Sequence, residues 1–314
     1  MTSPDHPPAG EAGPTRPDPD APVPPEPAPV APQPDPAPVY YYAPPAPVAP
    51  PPRPRRWLVV LTVAWAVVLA GAALWSVRYD GPTDREQTTV GEAKATADRL
   101  AADVVVAAGP GVVADVGTFG AGEDCRISLA RRGLRHSRVI DLFTAPGAEQ
   151  RLIQTVAAGL PAAYGASAAG TAEAPRLRAD GGNYVLLTGT STGPGLVRLT
   201  IDTGCRQKSD VTAEPTAAPA AARAAVTEVL TALGSPAVAW RSTALTCPNG
   251  RPLWTVAASG PATGVPAALD TALARVATTP VVAAPDRLAW RAADLSVSAH
   301  TTLDTVTVAA TTAC

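Results

Sequence analysis

Apolar and polar positions divide this chain into three stretches. Residues 1–54 alternate proline with Ala, Val, Asp and Glu and contain no Leu, Ile or Phe. Trp57 to Val77, WLVVLTVAWAVVLAGAALWSV, runs 21 residues without a charge. Beyond it the apolar residues recur at the periods of amphipathic helices and half-buried strands. Ala97, Ala101, Val104, Val105 and Ala108 fall at i, i+4, i+7, i+8 and i+11 before Gly109 and Pro110. Ala222, Val226, Val229, Leu230 and Leu233 repeat that spacing before Gly234, Ser235 and Pro236. Both patterns predict helices stopped by glycine and proline.

The order of later elements repeats as well. A short apolar stretch (Val112 to Phe119; Ala237 to Leu245) leads to a cysteine, Cys125 or Cys247, and then to a strand, Val139 to Phe143 or Leu253 to Ala258. A proline-opened helix follows from Pro146 or Pro266, because proline suits a first turn whose N–H has no helical partner. Two alternating strands close each copy. Val197, Leu199 and Ile201 alternate with polar residues, as do Val306 and Val308, and counting on by twos reaches Cys205 and Cys314. The pattern predicts an α+β fold of tandem α-β-β-α-β-β units, 88–205 and 219–314, joined by a linker over 206–218. Equivalent cysteines of a repeat pair within each copy, so the expected bonds are Cys125 with Cys205 and Cys247 with Cys314. In the chain-entropy picture each such loop contributes about 4–5 kcal/mol.

The uncharged segment 57–77 is long enough at about 1.5 Å per residue to cross a bilayer once. Trp57 and Trp75 stand at its ends, and Arg53, Arg55 and Arg56 precede it. That charge placement predicts an N-terminus in the cytoplasm and residues 78–314 outside, with 78–87 as a juxtamembrane linker. A cleaved signal peptide fits poorly, because the apolar run exceeds the usual h-region and more than fifty residues come before it. Export suits disulfides. Residues 1–56 read as a disordered proline-rich cytoplasmic tail, extended and without a core. Its PxxP spacing beside basic residues and its Tyr40–Tyr41–Tyr42 patch have the chemistry of a docking peptide, although composition alone carries that signal.

Charge narrows the function classes. Residues 78–314 carry 21 acidic and 21 basic side chains, so no broad field captures nucleic acid or anionic lipid. With two Lys against 23 Arg and abundant Ala, Val and Pro, the composition has the bias of a GC-rich bacterial genome.

Candidate chemistry is sparse. GTSTG, Gly189 to Gly193, matches the GxSxG pattern of hydrolase nucleophile elbows, and Asp270 and His300 follow in hydrolase order. YVLLT before it and GLVRLTI after it predict instead a β-hairpin, where Ser191 is a turn residue. An exported serine hydrolase using Ser191 is therefore the alternative to a non-enzymatic protein. His136 and His300 have no metal-ligand spacing and read as surface or hairpin histidines, and the four cysteines lack CxxC, so no metal is expected. Glycine-rich stretches lack the strand–GxGxxG–helix order, so no cofactor is expected either. Trp240, Trp254 and Trp290 are expected in the core of the second unit.

One stretch breaks the repeat. Where the second unit needs only PNGRP, the first carries RISLARRGLRHS, and Arg126, Arg131, Arg132, Arg135 and Arg138 lie there with His136 and no acid. This basic hairpin is the candidate site for an anionic cell-wall polymer or an acidic envelope protein. The bland alternative is a solvated strand pair with Ile127 and Leu129 facing inward. In outline the layout resembles division and secretion proteins of the FtsQ/POTRA type, a resemblance of topology that carries no residue. The sequence thus describes a single-pass plasma-membrane protein of the cell envelope whose ectodomain binds, senses or scaffolds.

Overall fold

The computed structural model describes residues 56–79, 88–128, 131–266, 268–277 and 279–314. The proline-rich tail, Arg53, Arg55 and most of the juxtamembrane linker lie outside the described residues, as does Leu129.

Helix α1, Arg56–Tyr79, contains the uncharged stretch and continues two residues past it. Its segment Arg56–Ser76 is long and apolar enough to cross a membrane by length and composition. Thr62 satisfies its hydroxyl within the helix by donating to the Leu58 carbonyl at 2.8 Å.

Two antiparallel sheets and their helices lie within the unit Val63–Cys314. Helix α2, Val90–Ala108, starts at a capping box in which Thr89 and Glu92 satisfy each other's backbone N–H groups. Its inner face buries Ala97, Leu100, Ala101, Val104 and Ala108. Strands β1 (Val113–Val116), β2 (Glu123–Arg126) and β3 (Arg132–Phe143) follow, then α3 (Glu149–Gly159) and β4 (Ser167–Gly170), β5 (Pro175–Asp180), β6 (Leu186–Gly193) and β7 (Leu196–Arg206). They form a sheet ordered β1-β3-β7-β6-β5-β4, with β2 also paired to β3.

After α4 (Ala220–Ala232) come β8 (Ala239–Thr246) and β9 (Pro252–Pro261), the single helical turn α5 (Leu269–Ala272), and β10 (Pro280–Ala284), β11 (Arg287–Ala292), β12 (Leu295–Thr301) and β13 (Thr305–Thr312). The second sheet runs β10-β11-β12-β13-β9-β8. Four strands, not two, follow the second helix of each half. The additional β4 has all four residues exposed and no large apolar side chain, so periodicity cannot reveal it. The helix expected from Pro266 shrinks to one turn, although Leu269 and Leu273 still fill the core.

The disulfides join Cys125 to Cys205 and Cys247 to Cys314. Two cores are bounded by the sheets: α2 and α3 cover the first, and α4 and α5 cover the second. They are not independent, because Leu245, Cys247 and Leu253 of the second half pack in the first core. Strand β1 is the other tie. Ala114 and Val116 enter the first core, while Val113 joins Phe143, Leu196, Val282 and Ala289 in a third cluster between the halves. The alternation of β1 therefore serves two buried faces, and all four of its residues are buried.

Candidate functional site

The basic hairpin is built by β2 and β3, whose register places Arg126 opposite Arg132 and Glu123 opposite Arg135. It does not present its five arginines as one surface. Arg138 is fully buried, which removes it from any contact with an anionic partner. Its Nη2 donates to Asp98 Oδ1 at 2.6 Å and to Glu214 Oε1 at 3.0 Å, and its Nη1 to the Gly117 carbonyl at 2.7 Å. The signal was in the sequence: counting back by twos from the core residues Leu142 and Ile140 reaches Arg138 and then His136. His136 is accordingly buried, stacked on Phe119 with ring centroids 4.9 Å apart, its Nδ1 2.8 Å from the Gly120 carbonyl. It is not a surface histidine. Arg135 is exposed but bound to Asp202 through Nε at 2.7 Å, so its charge is largely spent.

Arg126, Arg131 and Arg132 lie close together in the hairpin. Arg131 and Arg132 line an open recess of about 440 Å³ with Ile127, Gln207 and Lys208, and Arg126 lies across the strand pair from Arg132. Lys208, placed in the linker by composition, adds a fourth cation, although its Nζ is 3.1 Å from Asp124. Asp124 belongs to β2 and Asp202 to β7, and they become neighbours of these cations only through strand register.

Arg138 is also the centre of a buried charge cluster. Lys94 lies 2.7 Å from Asp98 and 3.7 Å from Glu214, and Glu214 Oε1 accepts from the Phe119 N–H at 3.0 Å. Glu214 comes from the segment expected to be a linker. Four charged groups from α2, β3 and the connecting segment balance one another, so that segment is clamped at its midpoint.

Beside the clamp lies a cleft of about 360 Å³. Its lining includes Glu214, Thr216, Arg223, Trp240, Arg241 and Ser242. Ser242 donates its hydroxyl to the Pro215 carbonyl. The Arg223 guanidinium lies 4.3 Å from the centroid of the Trp240 ring. Trp240 is 36% exposed, so only Trp290 of the three expected tryptophans is fully in the core, with Trp254 half-buried. Trp240 sits on the outer half of the edge strand, with the Arg223 side chain over its ring.

Ser191 lies on β6 opposite Val197 of β7, in a strand-to-strand hairpin. Its hydroxyl is 3.5 Å from the Gly193 carbonyl. Gly189 of the GTSTG motif has a packing reason: a Cβ there would approach Leu199 Cδ2 to 2.2 Å. The elbow that would expose a nucleophile is therefore not formed at Ser191.

Polar groups also meet where β1 crosses the second sheet. Burial pushes the Asp115 carboxyl up to about 6, against the attraction of Arg241 and with Asp141 adding to the rise. Burial holds the His300 imidazole below its ordinary value, opposed by Asp141 and reinforced by Arg241, Arg287 and Arg198. His300 is thus a half-buried residue of β12 facing an interface.

No family model matches the chain, and no curated protein matches it. A solved structure of a DUF4853 family protein from Actinomyces odontolyticus ATCC 17982 is similar at 13% identity and a TM-score of 0.30, covering 55% of this chain and 94% of that one. A likeness of this size carries neither fold nor function across.

Proposed function

We propose that the chain is a single-pass plasma-membrane protein of the bacterial cell envelope whose non-enzymatic ectodomain binds an anionic partner, an envelope polymer, through the basic recess of the β2–β3 hairpin. The observation that carries this reading is the convergence of Arg131, Arg132 and Lys208 around one open recess, with Arg126 paired across the strands from Arg132, in an ectodomain of zero formal charge. Guanidinium forks suit phosphate and carboxylate groups. The apolar α1 and the two disulfides support a membrane anchor with the C-terminal part exported, tail inward. Ser191 in a hairpin supports a non-enzymatic role.

In the same reading the two halves, 88–205 and 219–314, are copies of one unit. Matching β3, β7, β6, β5 and β4 with β9, β13, β12, β11 and β10 brings the two strand orders into correspondence, β1 and β2 together standing where β8 stands. The disulfides then occupy equivalent places. The β2–β3 hairpin is what the first copy has gained.

The test is binding of the full-length protein in nanodiscs to isolated anionic cell-wall polymer. Replacing Arg126, Arg131 and Arg132 with Gln is expected to weaken binding at low salt and to flatten its salt dependence, at an unchanged melting temperature. Equal binding by wild type and variant overturns the assignment.

A further inference from the structure

The cleft beside Glu214 is separate from the basic recess and has a different chemistry. Its cation is pre-set. Arg223 projects from α4, and its guanidinium is held against the indole face of Trp240 at 4.3 Å. A guanidinium stacked in this way is fixed in plane while its N–H edges stay available. Among the described residues Arg223 forms no ion pair. Arg241 lines the same cleft. The acid of the lining, Glu214, is already committed to Arg138 through Oε1. The cleft therefore favours an anionic group, and a planar carboxylate matches the fork.

The strand beside it supplies a second, independent feature. β8 is the edge of its sheet. Its inner half is covered, with Ser242, Thr243 and Leu245 buried, but Ala239, Trp240 and Arg241 are exposed and Val238 just before them is 71% exposed. Among the described residues no further backbone hydrogen bond joins these three residues to a neighbouring segment on the outer side. An exposed edge bearing valine, alanine and tryptophan is the kind that proteins cover or blunt, because it templates pairing with another strand. Here it opens beside a carboxylate-binding fork.

The geometry points to this edge and cleft as a docking site for an extended acidic segment of a partner protein, which adds a strand along Val238–Arg241 and places a Glu or Asp carboxylate on Arg223. Main-chain pairing gives affinity and the side-chain cleft gives selection. A saccharide chain fits less well: it has no backbone to extend a sheet, and Arg223 already covers the indole face on which a sugar ring would stack. A second copy of this chain fits less well too, since paired β8 edges would bring Arg241 toward its like.

The test uses the full-length protein in nanodiscs and a fluorescein-labelled hexapeptide of alternating valine and glutamate, beside the same peptide with glutamine. Fluorescence anisotropy is expected to show the glutamate peptide binding at least about tenfold more tightly than its glutamine counterpart. Arg223→Gln, on an exposed helix face, is expected to remove that preference without moving the melting temperature. Hydrogen exchange is expected to slow at the backbone amide of Trp240, which faces away from β9, when the peptide binds. The Arg131→Gln/Arg132→Gln variant is expected to bind it as the wild type does, so a failure of the basic-recess reading leaves this outcome untouched. Equal affinity for the two peptides, unchanged preference in Arg223→Gln, or protection of the Trp240 amide by anionic cell-wall polymer in place of the peptide overturns the assignment.

Discussion

Ser298 donates a hydrogen bond to Asp115 at 3.3 Å across the boundary between the two sheets. The carboxyl is buried because β1 lies across the Ser/Thr/Ala face of the second sheet, where Ser296, Ser298, Ala309 and Thr311 are all buried. Small side chains on that face let the strand approach closely. The cost falls on the carboxylate. With its folded value raised from 3.8 to about 6, the folded state holds a proton that the unfolded state has released between those values. This group therefore stabilises least above pH 6 and progressively more as pH falls from 6 toward 4.

Asp115→Asn is accordingly expected to stabilise the protein at pH 7.5, by about 1–3 kcal/mol after the lost attraction to Arg241 is allowed for. The gain should shrink toward pH 4. His300 acts in the opposite sense, since an imidazole held low costs stability as pH falls below its ordinary value. The difference between wild type and Asp115→Asn, measured by urea denaturation from pH 4 to 8, isolates the carboxylate. A difference that does not vary with pH would show that Asp115 is not desolvated.

Glu214 gives the second prediction. It balances Arg138, which has no exposure, so removing it leaves a buried guanidinium shared only with Asp98 and the Gly117 carbonyl. Glu214→Ala should cost about 2–4 kcal/mol by thermal or chemical denaturation, because breaking a buried pair strands its partner. Exchange of the amides around Phe119 should speed up with it. Were 206–218 a free tether, the same change would cost under about 0.5 kcal/mol.

What the sequence made legible follows from what its patterns measure. Helical spacing at Ala97–Ala108 and Ala222–Leu233 reports burial directly, and both faces are inside. Cysteine positions in two matching element orders reduce three pairings to one. Charge reports less, because an arginine balanced by distant acids has the same letter as a solvated one. Proximity in the chain groups Arg138 with Arg131, whereas strand parity groups it with Ile140. Parity itself fails at Gly204, whose φ of +65° accompanies irregular pairing near the end of β7. There Arg206 turns inward where Cys205 was expected. The clamp at Glu214 and the cleft at Trp240 depend on a segment with no periodicity, so no pattern pointed to them.

Orientation can be checked without knowledge of any partner. If α1 spans the membrane with its tail inside, protease added to spheroplasts should remove 78–314 and spare the proline-rich segment. A compact disulfide-bonded core such as Val90–Cys314 should survive as a limit fragment under mild digestion, since its two halves share packing. The reverse protection pattern would invert the topology.

The shared packing also sets the last prediction. Cys247 is buried in the first core beside Leu245 and Leu253, and Cys314 packs against that core. The bond between them staples the second sheet's β8–β9 turn to the chain end and at the same time holds both against α2, whose Val105 and Ala108 line a crevice with Cys314. Closing a loop of 67 residues contributes about 4 kcal/mol in the chain-entropy picture. Cys247→Ser/Cys314→Ser should therefore lower stability by about 2–5 kcal/mol. Its local signature distinguishes a junction staple from one internal to the second half. Native-state hydrogen exchange should accelerate at the C-terminal turn of α2 as well as at β8 and β13. Acceleration confined to the second sheet, with the α2 amides unchanged, would mean that the halves open independently and that the junction owes nothing to this bond.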